Sequence, residues 1–228
     1  MAQTELRQRI ISGIILGAAV IALTLWSFES FAAMCAVGFV ILIKEWWHLT
    51  KQSSRWWLLV GVVYITSSIL ALLYLQFMSQ TLHYSYIFYL FAIVWGGDVA
   101  AYFIGKKFGK HKIAPAISPG KSWEGLAASV IFASSLSVLI LYRDMVSSEG
   151  HASITSYAAM ALLGAILSCV GLAGDMFESS LKRRAGVKDS GTLIPGHGGL
   201  FDRVDALMPC AITLAAILYL FMTTFRLF

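Results

Sequence analysis

Between Asp175 and Asp205 the chain places five acids, five bases and a histidine within 31 residues, set between two apolar runs. Asp175, Glu178 and Lys182 follow at intervals of three and four, so a helix continued to about Arg183 would carry all three on one face. Acid would stand nearer the apolar run and base farther from it. That order suits a divalent ion beside phosphates, with carboxylates gripping the metal and lysine meeting phosphate oxygen. A solvated helix end laced with ion pairs fits the same spacing. Downstream, Pro195-Gly196-His197-Gly198-Gly199 is a permissive backbone that could turn successive N–H groups toward one anion. His197 could be a metal ligand, a phosphate donor or a base, or could simply shape the turn. Asp202 and Asp205 follow one turn apart and are expected to open the last apolar helix, with Arg203 between them on another face.

Two further stretches belong with this one. Asp98, in Trp95-Gly96-Gly97-Asp98, precedes the charged end of its apolar run by about seven residues, roughly 10 Å along a helix. A carboxylate inside such a run marks a functional site by default, and an interhelical hydrogen bond is the plain alternative. Gly96 and Gly97 permit close approach under either reading. The second stretch is Ser118-Pro119-Gly120-Lys121-Ser122-Trp123-Glu124-Gly125. It is not a P-loop, because Pro115 stands where the first glycine is required. A lysine and a serine at a helix start can nevertheless bind phosphate. Lys106, Lys107, Lys110 and Lys112 upstream make either a positive rim or ordinary topological charge. Asp98, Asp175, Asp202 and Asp205 are expected to converge at one depth from three helices. Carboxylates that close require a cation. Mg²⁺ suits them, since it takes few carboxylates and completes its shell with water and phosphate oxygen.

Composition dictates what positions these groups. The chain has 228 residues, 58% hydrophobic and 13% charged, with a mean hydropathy of +0.76, more apolar surface than a soluble core can bury. An all-α, polytopic transmembrane bundle is predicted, with about seven spans near 9–28, 30–44, 56–77, 85–105, 123–142, 154–176 and 205–225. The second run is short, and Ser27 to Ser30 leave only a tight turn before it, so a tilted or re-entrant pair is also open. The first run lacks a small-residue cleavage site after it, so no leader is expected to be removed. Fifteen of the seventeen lysines and arginines fall in loops on one side, and only Arg143 and Arg226 on the other. By the positive-inside rule the N terminus is cytoplasmic and the C terminus outside. The net charge of +5 therefore calls for no nucleic acid, and the basic loops favour anionic headgroups of membrane lipids. Cys35, Cys169 and Cys210 stand singly in apolar runs and read as packing residues. The chain divides into N-terminal spans, 1–84, and a region, 85–228, whose two cytoplasmic loops, 106–123 and 179–203, must carry any chemistry.

The run from Ser179 to Asp205, with Lys182-Arg183, Lys188-Asp189-Ser190-Gly191 and Pro195-Gly196-His197-Gly198-Gly199-Leu200-Phe201-Asp202-Arg203-Val204-Asp205, closely resembles the signature of the phosphatidate cytidylyltransferases. Asp98 in its Gly-Gly-Asp setting and Ser118 to Gly125 are similar to the same family. The likeness runs from about Trp95 to Pro209, while the N-terminal third is shorter than is usual there. The resemblance implies CTP and phosphatidate as substrates, CDP-diacylglycerol and pyrophosphate as products, and Mg²⁺, with room for a second cation, as cofactor. It implies metal on Asp175 and Asp202 with Asp98 and Asp205 beside them, and phosphate clamping by Lys182, Arg183 and Lys188. Lys121, Ser118, Arg203 and the His197-Gly198-Gly199 loop would help to bind substrate. A bacterial inner membrane and a homodimer belong to the same expectation. Two rivals are a dolichol kinase-like, CTP-dependent lipid-alcohol kinase, which would need a base for a hydroxyl, and an ion-coupled transporter. The transporter is disfavoured because no matched pair of broken helices is evident and the charge lies at one surface.

Overall fold

The computed structural model describes residues 2–51, 53–82, 84–147, 152–193 and 198–224. Among them run seven long helices: α1 (Ala2–Trp26), α2 (Phe28–Thr50), α3 (Arg55–Thr81), α4 (Tyr86–Phe108), α5 (Trp123–Ser147), α6 (Ile154–Arg184) and, after the one-turn α7 (Phe201–Val204), α8 (Leu207–Thr224). Five of them, α3, α4, α5, α6 and α8, are long and apolar enough to cross a membrane, and α1 carries a shorter apolar segment, Ser12–Trp26. Their outward faces are oily: Val63, Leu70, Phe103, Ile131, Leu162 and Leu220 are each more than half exposed, as hydrocarbon contact requires and water would not favour. The protein is an integral membrane bundle of helices.

Local chemistry sets the element ends. Ser27 alone separates α1 from α2, in an extended conformation, with its hydroxyl accepting from Ser30 N–H while Ser30 Oγ accepts from Ser27 N–H. This reciprocal cap satisfies two end donors and turns the chain in one residue. α2 continues past the apolar run through Lys44-Glu45-Trp46-Trp47 to Thr50, longer than the expected 30–44, because Glu45, Trp46 and Leu49 are buried against neighbouring elements. α6, at 31 residues, is roughly 46 Å long. A hydrocarbon core is about 30 Å thick, so its last turns, carrying Glu178 to Arg184, reach beyond it. The expected continuation of this helix to about Arg183 is present.

Small residues allow the helices to meet closely. A Cβ on Gly164 of α6 would collide with the backbone of Ala133 in α5. Between the same helices Ser168 donates to Ser129 at 2.8 Å, and Ser134 donates to the Ala161 carbonyl at 2.8 Å. Leu75, Ile87, Leu90, Leu167, Cys210 and Ala211 fill the main core, to which α3, α4, α6 and α8 all contribute. Cys35 and Cys210 are buried packing residues, while Cys169 is exposed on α6.

Two features depart from the expectation. The loop after α4 contains an antiparallel hairpin, β1 (Lys112–Ala114) and β2 (Ser118–Ser122), with Lys112 opposite Ser122 and Ala114 opposite Ser118. Ile117 N–H donates to Ala114 C=O at 3.1 Å across its turn. Asp202 and Asp205 also do not share one continuous terminal helix. α7 stops at Val204 and α8 starts at Leu207, with Pro209 in its first turn, where a missing N–H costs nothing.

Candidate active site

The end of the bundle where α2 finishes, α5 begins and α6 projects gathers the charged side chains in two adjoining clusters. In the first, Lys121 at the end of β2 pairs with the carboxylate of Asp175 on α6. Asp98 from α4 and Asp205 from the α7–α8 break both act on that lysine electrostatically. Burial works against the charged form of Lys121, and the three carboxylates outweigh it and raise its pKa. Burial, followed by the charge of Asp175, pushes Asp205 up to about 7. Three carboxylates thus face one ammonium, an excess of negative charge that a divalent ion would neutralise. Among the described residues no three His, Cys, Asp or Glu side chains are grouped to hold a metal unaided. Carboxylates few in number are the kind of ligand Mg²⁺ takes, its remaining positions going to water and phosphate oxygen. Lys121 would then be released to meet phosphate.

Of these groups Asp98 and Lys121 line a cavity of about 620 Å³ between α4, the hairpin, α5 and α6. Its polar side carries Asp98, Lys106, Lys112, Lys121 and Ser129, and its inner wall Ile93, Val94, Leu126, Leu167 and Leu172. A molecule with a charged head and an apolar body matches that lining. Ser122, buried beneath the cavity floor, accepts from Gly125 N–H at 3.2 Å and so caps α5.

The second cluster lies about two turns farther along α6. Lys182 Nζ sits 2.7 Å from Glu178 Oε2 and 2.6 Å from Asp202 Oδ1. Only 13%, 1% and 6% of these three side chains is exposed. Asp202 Oδ2 also accepts from Ser190 N–H at 2.8 Å, Ser190 Oγ at 2.9 Å and Gly199 N–H at 2.8 Å. Burial alone would raise the Asp202 pKa, but its hydrogen bonds, Lys182 among them, win and hold it at about 2. Glu178 Oε1 has no hydrogen-bond partner, although its carboxylate is almost wholly buried.

Asp98, Asp175, Asp205 and Lys121 are brought together, whereas Asp202 joins Lys182 in the neighbouring cluster. The convergence of all four acids on one point is not what the structure shows. The break before α8 turns Asp202 and Asp205 to different partners. Arg183 donates to the Ile117 and Val187 carbonyls at 3.4 and 3.3 Å, clasping the hairpin turn. Ser118 opens β2 beside that turn. Lys188 and Arg203 are exposed at the surface. His197 lies outside the described residues. Gly198 adopts φ +83°, a left-handed backbone that a side chain disfavours. Of the expected anion nest, residues 195–197 lie outside the described residues; its Gly199 N–H points to Asp202, and the two amides that follow point to Glu45.

Glu45 is the residue that reading the sequence missed. It is 7% exposed on α2, and it accepts from Leu200 N–H at 2.9 Å, Phe201 N–H at 2.7 Å and Ser190 Oγ at 3.2 Å. The available signal was an acid beside the Trp46-Trp47 pair at the end of an apolar run. Beside it, Trp46 packs edge-on to Phe201 at 5.9 Å and against Tyr64 and Phe177, and donates to the Trp57 carbonyl at 2.8 Å. A Cβ on Gly61 would collide with that indole.

Residues 56–221 match the cytidylyltransferase family. The chain is 37% identical over 195 residues to the phosphatidate cytidylyltransferase of Brucella suis, covering 83% of this chain and 66% of that protein. It is 32% identical over 206 residues to the phosphatidate cytidylyltransferase of Rickettsia bellii, covering 90% and 87%. To the Haemophilus influenzae phosphatidate cytidylyltransferase it is 44% identical over 119 residues, 52% of this chain and 40% of that one. The alignment thus spans a little under two thirds of the length of the Brucella relative and most of the Rickettsia one.

Proposed function

This chain belongs to the cytidylyltransferase family, and on that footing we propose that it transfers CMP from CTP to phosphatidate, giving CDP-diacylglycerol and pyrophosphate. The observation that carries this reading is a cavity charged on one side, where Asp98 and Lys121 line it, and apolar on the other, with Asp175 paired to that lysine. The names of the relatives support the substrates.

A phosphatidate oxygen attacks the α-phosphorus of CTP. The new P–O bond forms as the bond from that phosphorus to the pyrophosphate oxygen breaks, and the electron pair leaves with pyrophosphate. The attacking phosphate is already anionic, so no strong base is needed, and alignment and charge neutralisation dominate. Mg²⁺ would be held by Asp98, Asp175 and Asp205 on the Lys121 side, with a second cation beside Asp202 in the neighbouring cluster, and would supply Lewis-acid charge to the phosphates. Lys121, with Lys106 and Lys112 on the cavity rim, holds phosphate oxygens. Lys182 keeps Asp202 ionised and oriented. Arg183 fixes the hairpin that carries Lys121.

The apolar inner wall receives the acyl end of the lipid, while nucleotide enters from the charged end. The lysine and arginine distribution supports a seven-span arrangement with a cytoplasmic N terminus, an external C terminus and a site facing the cytoplasm. By the same resemblance the membrane is a bacterial inner membrane and the assembly a homodimer, which cross-linking in native membranes reads directly. The enzymatic test incubates purified protein with phosphatidate, CTP and Mg²⁺. CDP-diacylglycerol with pyrophosphate supports the proposal; CDP with a phosphorylated lipid alcohol supports a kinase, and no turnover of any lipid overturns the enzyme reading.

A further inference from the structure

Two carboxylates divide between them the donors of Ser190, Gly199, Leu200 and Phe201. Glu45 takes the amides of Leu200 and Phe201, and Asp202 takes the amides of Ser190 and Gly199. The Ser190 hydroxyl has one proton and lies within reach of both, 3.2 Å from Glu45 and 2.9 Å from Asp202. A buried carboxylate is costly unless its lone pairs are filled. Among the described residues no lysine or arginine forms an ion pair with Glu45, so hydrogen bonds alone keep it there. A Cβ on Gly199 would meet both Ser190 Oγ and Glu45, and one on Gly191 would also meet Glu45, so the loop is closed tightly on this side chain. Trp46, packed against Phe201, holds the end of α2 in register.

We infer that Glu45 is a positioning residue that sets the place of the Asp202 carboxylate by fixing the Leu200 and Phe201 amides and sharing the Ser190 hydroxyl. The inference rests on the proposed role of Asp202 beside metal and phosphate. It assigns a function in the reaction to the N-terminal helices, which supply none of the other charged groups in the two clusters. Glu45 acts through the loop and touches neither substrate.

The test is Glu45→Gln, which keeps the side-chain size and replaces one acceptor oxygen with a donor facing an N–H. Hydrogen exchange of a peptide covering residues 199–203 is expected to quicken at least tenfold, roughly the protection that one charged hydrogen bond gives. The Mg²⁺ concentration for half-maximal activity should rise about tenfold and kcat should fall about 10- to 100-fold, with KM for phosphatidate within about twofold. Adding Ser190→Ala to Glu45→Gln should cost little more, because both act through Asp202. A residue with only a packing role would lower thermal stability and leave the Mg²⁺ dependence unchanged. Should Glu45→Gln fail to fold, Leu200→Pro removes the other partner's proton at a φ of −68° that proline tolerates, and the same Mg²⁺ shift is expected. Unchanged exchange, an unchanged Mg²⁺ requirement, or additive losses with Ser190→Ala would overturn the inference. The exchange measurement reads the latch even if wild-type protein makes no CDP-diacylglycerol, an outcome that would instead overturn the proposed function.

Discussion

Replacing Lys182 by methionine retains most of the aliphatic stem and removes one positive charge from between two carboxylates. Its ammonium lies 2.6 Å from Asp202 and 2.7 Å from Glu178. Exposed pairs of this kind contribute at most about 1 kcal/mol, but these three side chains are 13%, 6% and 1% exposed. Without the lysine the Asp202 carboxylate loses its buried cation, while Glu178, which burial pushes up to about 8, is protonated; breaking a buried pair in this way costs about 3–5 kcal/mol. For a chain of this size that loss corresponds to a fall of roughly 10 °C in melting temperature. Thermal unfolding in detergent micelles at pH 7, followed by tryptophan fluorescence, measures it. Adding Glu178→Gln should change the loss little, because a protonated glutamate and a glutamine are both neutral and Asp202 keeps its three bonds from Ser190 and Gly199. A Lys182→Met protein melting within about 2 °C of wild type, or one that Glu178→Gln restores to the wild-type melting temperature, would refute the idea that the buried Lys182–Asp202 pair holds this end together.

Four other outcomes are expected. Asp175→Asn should reduce CMP transfer by about a thousandfold or more without lowering the melting temperature, since Asp98 and Asp205 lose a like-charged neighbour; initial rates beside a melting curve decide it. Gly198→Ala should cost about 1–2 kcal/mol from its φ of +83°, and more as its methyl meets Asp202, seen as a lower melting temperature together with reduced activity. With divalent ions removed by chelation, transfer should cease and return on adding Mg²⁺, whereas activity persisting in excess chelator would remove the metal from the mechanism. Asp202, depressed from 3.8 to about 2, contributes roughly 2 kcal/mol of stability. That contribution is fully present above the unfolded pKa near 4 and lost as pH falls toward 2. Acid titration of wild type against Asp202→Asn should therefore show this limb only in the wild type.

Much of the fold was legible because its signals are local. Runs of apolar residues long enough to span hydrocarbon must become helices, since no water is present to satisfy the backbone, and the spacing of Asp175, Glu178 and Lys182 placed the acid-to-base order along α6. Local signals were weaker at the hairpin: Pro115, Pro119 and Gly120 in Lys112 to Ser122 read as loop, and the β1–β2 ladder forms where the α4 and α5 ends bring the two short segments together. The separation of Asp202 from Asp205 had a sign in Pro209, which cannot donate a helix hydrogen bond.

The sequence by itself determined a membrane-spanning helical chain, one charged end and the family signature. Only the tertiary structure decided that Asp175 pairs with Lys121 and Asp202 with Lys182, and that Glu45 holds the amides before Asp202. Composition and periodicity report how much of a residue's surroundings are oil, because transfer from water is nearly additive along a chain. Partner choice among many lysines, carboxylates and amides depends on ångström-scale geometry, and that exists only once α2, α6 and the α7 turn have packed around Trp46.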